Sequence, residues 1–155
     1  MAPPPLPAVA IRDARTTDLP DVIEMLAHGA LVDGKEDPGD PGPYEAALAE
    51  IDATPGWALL VAEAGGLVVG TCQLIVFRHI QAAGGRCAEV ESVHVRAEWR
   101  GQGIGGLLVE EAVARAIALG CYRVQLTSNK ARTDAHRFYG RHDFVASYEG
   151  YKRLL

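Results

Sequence analysis

The sequence predicts an α/β protein with a mixed sheet and the element order β-α-α-β-β-β-α-β-α-β-β. Three observations lead there. Apolar and β-branched runs at residues 57–63, 67–77, 89–95 and 122–127 read as strands, and segments of helical period lie around them. A glycine-rich stretch, Gly101 to Gly106, separates one strand from a long helical run. The 155 residues, 48% hydrophobic and 23% charged, have the composition of one soluble globular domain. This excludes collagen-like, disordered and disulfide-scaffold classes.

Each element has its own local cause. Four prolines within residues 1–7 predict a disordered tail ahead of a single domain over 8–155, because proline removes a backbone donor and fixes φ. Val9 and Ile11 alternate with Ala10 and Arg12 as a first strand. Thr17, followed by Asp18-Leu19-Pro20, then supplies a helix N-cap with acids in the first turn, and the helix is expected to reach about residue 31. Residues 33–43 are dense in Gly, Pro and Asp and read as a loop before a short helix at 44–51. Strands 57–63 and 67–77 flank Ala64-Gly65-Gly66 and form a hairpin, with 89–95 as a third strand. A helix over 104–119 carries Glu111 and Arg115 as an i,i+4 pair and ends at Gly120. A strand at 122–127, a helix at 133–141, and a hairpin-like pair at 144–147 and 151–154 close the chain.

Charge and cysteine content narrow the function classes. The formal net charge is −5, yet residues 1–85 hold four basic residues against twelve acids while residues 86–155 hold eleven against eight. An acidic first half and a basic second half predict two ligand surfaces of opposite preference. No basic-aromatic stripe accompanies a negative total, so nucleic acid is not expected as a partner. No run of about 18 apolar residues predicts a membrane span. The start Met1-Ala2-Pro3-Pro4-Pro5 lacks the basic and apolar regions of a secretory signal, which predicts a cytoplasmic protein. Cys72, Cys87 and Cys121 are odd in number and far apart, so they read as reduced core residues, with neither a disulfide nor a metal site expected.

The glycine stretch is the strongest chemical signal. Bare backbone between a strand and a helix lets N–H groups converge on phosphate, the helix N-terminus adds partial positive charge, and Arg100 adds a full one. Gly101-x-Gly103-x-x-Gly106 has the spacing of the dinucleotide fingerprint, but the context fails. The next strand ends in Thr127-Ser128-Asn129 with no acid to hold a ribose, and no Lys-Ser or Lys-Thr follows the last glycine as a Walker loop requires.

What remains, Arg100-x-x-Gly103-x-Gly105 after an acidic strand and before an amphipathic helix, resembles motif A of the GCN5-related N-acetyltransferase (GNAT) superfamily. Asn129 and the run Asp134-Ala135-His136-Arg137-Phe138-Tyr139 resemble its later motif, and within it the aminoalkylphosphonate N-acetyltransferases most closely. One departure is Asp143-Phe144 where the family has Gly-Phe. The resemblance implies the GNAT acyl-CoA N-acyltransferase fold from about residue 8 onward and acetyl-CoA as co-substrate. It implies that the loop of Arg100, Gly101, Gln102, Gly103, Ile104, Gly105 and Gly106 holds the coenzyme pyrophosphate. It also implies that the backbone of Val93, His94 and Val95 pairs with the pantetheine arm and the carbonyl. Asn129 would bond a pantetheine amide, and His136 coenzyme phosphate.

The reaction itself needs a base, because a primary ammonium with a pKa near 10 is protonated at neutral pH. Glu89 and Glu91 are the candidates. Strand alternation puts them on one face, here expected to be shared with Val93 and Val95 and not with His94, and paired carboxylates raise one another's proton affinity. The alternative is that both are solvated or paired with Arg86 and Arg123. Tyr139 is the candidate acid for the departing thiolate, against a core tyrosine beside Phe138. The expected function is direct N-acetyl transfer to a small-molecule amine, with a cationic acceptor favoured by the acidic half. A homodimer is compatible with this reading. Two other readings stay open: a protein lysine or N-terminal acetyltransferase, and a non-catalytic CoA-sensing module.

Overall fold

The computed structural model describes residues 7–29 and 36–155, so most of the proline-rich tail and Asp33 lie outside the described residues. One five-stranded sheet runs in the order β1-β2-β3-β4-β5. β1 (Val9–Asp13), β2 (Ala58–Ala64), β3 (Leu67–Arg78) and β4 (Arg86–Val95) are antiparallel neighbours, and β5 (Cys121–Gln125) lies parallel to β4. The parallel pair needs a crossover, which α4 (Ile104–Ala118) provides. The other helices are α1 (Leu19–Gly29), α2 (Gly42–Ala53), the four-residue α3 (Gln81–Gly84) in the β3–β4 connection, and α5 (Thr133–Arg141). Among the described residues, no helix is long and apolar enough to cross a membrane.

The sheet is covered on both faces. Ile104, Leu108, Ala112 and Ala116 of α4 pack with Leu60, Ala62, Val69, Cys72, Leu74, Ala88 and Val90 in one core. On the opposite face Leu19, Val22, Ile23 and Met25 of α1 and Leu48 of α2 pack with Val61 and Val68. The alternation of strand residues between these two cores is the period-two pattern of a sheet buried on both sides. Gly70 allows the close approach of α4, since a Cβ there would stand 3.0 Å from Leu108 Cδ1 and 3.2 Å from the His94 carbonyl.

Local causes differ from expectation in three places. Thr16–Asp18 form a short 3-10 turn ahead of α1, and the Asp18 carboxylate accepts the Arg15 N–H at 2.7 Å. Asp18, not Thr17, therefore organises this turn, and Arg12 at 2.7 Å holds its carboxyl below the usual carboxylate range. Second, residues 144–147 and 151–154 do not form strands: the chain after α5 runs without ladder pairing, and Val145, Tyr148, Tyr151 and Leu154 are exposed. Their apolar pattern finds no face of the sheet to bury against. Third, β4 contains a bulge. Gln73 pairs with Glu91 but Thr71 pairs with His94, so β4 spends one more residue than β3, and Ser92 takes φ +53°. An extra residue reverses the alternation beyond it.

Candidate active site

The bulge decides which side chains meet. Ahead of it Ala88 and Val90 point to the α4 core, and beyond it Val93 and Val95 pack against that same core. Glu89 and Glu91 therefore do not share a face with Val93 and Val95, as strict alternation predicted. His94 comes instead to the α1 side with the glutamates, where its ring lies against Gly29. Burial lowers its proton affinity, aided by the positive charges of Arg132 and Arg100. Ser92 and Val93 have no β3 partner in the register, whereas His94 and Val95 pair with Thr71 and Gly70.

The glutamates have different surroundings. Glu89 accepts a hydrogen bond from Gln125 Nε2 at 3.1 Å across the β4–β5 pair. Glu91 is held above the usual carboxylate range by burial and by Glu89 beside it, and Lys152 of the C-terminal segment opposes this. Neither arginine weighed as a salt-bridge partner is engaged with them: Arg86 donates to the Leu119 carbonyl and Arg123 to Cys87 Sγ.

Tyr139 is placed by α5. Phe138 packs where a Cβ on Gly105 would stand 3.3 Å from its ring, which seats α5 on the first turn of α4. Tyr139 meets Phe144 edge-on at 5.9 Å between centroids. Burial raises the proton affinity of its phenol, as do the negative charges Cys72 and Glu91 can carry, while Arg132 lowers it. Glu91 and Tyr139, on different elements, are therefore within electrostatic reach of each other.

The glycine loop closes the site. Gly101 (φ +76°) and Gly103 (φ +81°) adopt left-handed backbone, and a Cβ at either would meet nothing within 4 Å, so conformation and not space requires glycine there. At Gly106 the reverse holds: a Cβ would stand 2.8 Å from the His142 ring. Arg100 Nε donates to the Val95 carbonyl at 3.1 Å and Gln102 Nε2 to the Glu98 carbonyl at 3.2 Å, tying the loop to the end of β4 and the turn after it. Ile104 is buried in the core and contributes only backbone to the loop. Asn129 uses its side-chain oxygen to accept the Ala131 N–H at 2.9 Å, and its carbonyl bonds His136 Nε2 at 2.9 Å, so both first serve the turn into α5.

With the geometry in view, comparison with known proteins decides the family. Residues 23–144 match the Acetyltransferase (GNAT) family. The chain belongs to this family. As a GNAT acetyltransferase it is an enzyme of the acyltransferase class. It is 28% identical over 153 residues to thialysine N-epsilon-acetyltransferase of Mus musculus, covering 88% of this chain and 86% of the relative. It is 33% identical over 90 residues to aminoalkylphosphonate N-acetyltransferase of Salmonella typhimurium, 58% of each chain. The crystal structure of a protein named as a transcriptional regulator from Bacillus halodurans superposes with a TM-score of 0.89 at 36% identity, covering 96% of this chain and 100% of that one. The fold expected from the motifs is thus the fold of the GNAT acetyltransferases.

Two residues beside the candidate site carry no sequence motif. Gln125 is a polar strand residue whose meaning depends on the β4–β5 register. Arg132, just before α5, donates to the carbonyl of Gly29 at the end of α1 and acts on both His94 and Tyr139. Its position in a Lys130-Ala131-Arg132-Thr133 turn reads as surface charge until the fold brings α1 beside it.

Proposed function

We propose that this GNAT acetyltransferase moves the acetyl group of acetyl-CoA directly to a primary amine of a small molecule. The arrangement that supports this reading is Glu89 and Glu91 just ahead of the β4 bulge and Tyr139 on the helix that packs on the first turn of α4, with the proton affinities of Glu91 and Tyr139 raised by burial and by their neighbours. A carboxylate whose proton affinity is raised toward neutrality suits a general base, and a phenol that keeps its proton suits a general acid. Glu91, with Glu89 beside it, takes the proton lost by the amine, directly or through water. The C–N bond forms as the C–S bond breaks, and Tyr139 gives its proton to the departing thiolate.

The residues of the loop fit a coenzyme phosphate. Orphan N–H groups at the start of α4 follow left-handed Gly101 and Gly103, and Arg100 stands beside them. Asn129 and His136 border the same end of α5, and the backbone of Val93, His94 and Val95 faces the cleft for the pantetheine arm. The thiol of Cys72 is pushed up to about 12 by burial and stays protonated, which favours direct transfer over an acyl-enzyme. Three free cysteines also suit a cytoplasmic enzyme.

The test is thiol release from acetyl-CoA against amines, polyamines, amino sugars, aminophosphonates and peptides. Turnover with a small amine supports the proposal, and turnover with peptides alone turns it to a protein acetyltransferase. The neighbour named as a transcriptional regulator favours a second reading, a CoA-sensing module, which predicts acetyl-CoA binding with no turnover on any acceptor.

A further inference from the structure

Behind the glutamate pair lies a line of side chains that the acetyl-transfer chemistry does not use. Glu89 and Gln125 are register partners on adjacent parallel strands, as are Cys87 and Arg123. Gln125 Nε2 donates to Glu89 Oε2 at 3.1 Å. On its other side the amide oxygen accepts from the Cys87 thiol at 3.5 Å, and Arg123 Nε donates to Cys87 Sγ at 3.3 Å. Cys87 is fully buried. The line thus runs from the Arg123 guanidinium through a buried thiol and a half-buried amide to a carboxylate at the cleft.

The donor sense along this line is dictated by chemistry. A carboxylate only accepts, so the amide must turn its NH2 to Glu89 and its oxygen away. That oxygen then needs a donor, and Cys87 is placed to give one. Arg123 has only N–H groups to offer, so its approach to Sγ sends the thiol proton elsewhere, either to the amide at 3.5 Å or to the Ala88 carbonyl at 3.6 Å. A flipped amide would set oxygen against carboxylate and NH2 against a sulfur already receiving an N–H.

We infer that Gln125 is a positioning residue that holds Glu89 as the hydrogen-bond-accepting carboxylate of the glutamate pair, with Cys87 and Arg123 holding its amide in the donating orientation. The consequence falls on Glu91. A Glu89 carboxylate held as an acceptor leaves Glu91 as the carboxyl that binds and releases the proton, so Gln125 acts on the reaction through two carboxylates and touches no substrate. The groups facing the pair agree. Lys152 from the C-terminal segment acts on Glu91, the charge of Glu91 acts on Tyr139 of α5, Arg123 stands behind Cys87, and the β3 partners Ile75 and Gln73 carry no charge.

This inference rests on the proposal that the pair is the base, and its test separates the two. Carboxyl-13C glutamate labelling follows both titrations without any turnover, while the pH dependence of kcat/KM follows the reaction. In Gln125→Leu the loss of one charge-assisted hydrogen bond leaves Glu89 competing for the shared proton. The first proton taken up by the pair should then bind about 0.3 pH unit higher, the log 2 of two equivalent acceptors in place of one, distributed over both residues. The acidic limb of kcat/KM should move up by the same amount with the acetyl-CoA KM unchanged. Cys87→Ser keeps a donor and should titrate as the parent, whereas Cys87→Ala should move part of the way toward Gln125→Leu. Parental titration in Gln125→Leu would overturn the positioning role. So would identical behaviour of Cys87→Ser and Cys87→Ala, for the thiol's part. If the 13C titrations shift as expected but no amine is acetylated, the positioning stands and the proposed reaction fails.

Discussion

The last residue of α1, Gly29, lies against the imidazole of His94, so close that a Cβ would overlap Nδ1 and Cε1 of the ring. The Gly29 carbonyl also receives the Arg132 guanidinium from the turn before α5. Three elements are thereby pinned at one point beside the β4 bulge. Gly29→Ala should displace the ring and cost about 1–3 kcal/mol, the usual range for overpacking. Thermal unfolding of Gly29→Ala, His94→Ala and the double variant checks it. In the double variant the penalty of the added methyl should largely vanish, and two independent, additive losses would show that the contact is not the cause.

For Tyr139→Phe the expectation is a fall in kcat of about 10- to 10⁴-fold with little change in acetyl-CoA affinity, because the phenol acts on the leaving thiolate. The ring and its contacts with Phe138 and Phe144 remain in the variant. Steady-state rates beside the thermal shift induced by acetyl-CoA separate catalysis from binding. A parental kcat would remove the phenol from the reaction.

Glu91 links rate to stability. Burial and Glu89 raise its proton affinity in the folded chain above the unfolded value. The sign follows: such a carboxyl favours the folded state while protonated, and this contribution is lost as pH rises through the folded value. Glu91→Gln, neutral at every pH, should therefore melt higher than the parent at neutral pH, with the difference closing below the ordinary carboxylate range. Its kcat/KM should lose the limb in which the parent's activity climbs with pH. A melting difference independent of pH would assign the effect to packing.

The element order from β1 to α5, apart from the four-residue α3, and the position of the glycine loop were legible because their causes are local. Periodicity, turn residues and glycine spacing act within a few residues of one another. The bulge at Ser92 was not legible, since serine neither favours left-handed backbone nor departs from a strand pattern. One inserted residue was enough to exchange the faces of His94 and of Val93 and Val95. Gln125 and Arg132 were missed for a related reason: their roles come from β4–β5 pairing and from α1 lying beside α5, contacts between residues distant in sequence. The C-terminal segment shows the opposite error: residues 144–147 and 151–154 read as a hairpin-like pair, and neither has a partner strand among the described residues.

Loop glycines of two kinds should respond differently. Gly103→Ala places a side chain in left-handed backbone with free space around it, a cost of roughly 1–2 kcal/mol, and should also weaken stabilisation by acetyl-CoA because the loop's N–H groups turn away. Gly106→Ala should drive His142 out of its place against α4 and break the 2.9 Å bond from its ring to Glu110. Melting curves with and without acetyl-CoA separate them: adding His142→Ala should restore Gly106→Ala and leave Gly103→Ala unchanged.

The acidic half of the chain predicts an acceptor with positive charge near its reactive amine, and the fold reduces the acids available to select it. Asp37 and Asp40 accept the N–H groups of Gly39 and Gly42 at 2.8 and 3.3 Å, so they serve the turn into α2. Glu36 differs. The Tyr44 phenol donates to it at 2.8 Å while accepting the Asp37 N–H, which presents a carboxylate whose charge reaches His94 in the cleft. A carboxylate so held attracts a cationic amine and speeds its capture, an effect screened as the Debye length shrinks to about 8 Å at physiological salt. For a polyamine or amino sugar, kcat/KM should fall with salt, and Glu36→Gln should lower it while flattening that dependence. Tyr44→Phe should act in the same direction by loosening Glu36. For an aminoalkylphosphonate, Glu36→Gln should leave kcat/KM unchanged or raise it. A phosphonate preferred at low salt by the parent would show that Glu36 does not select the acceptor.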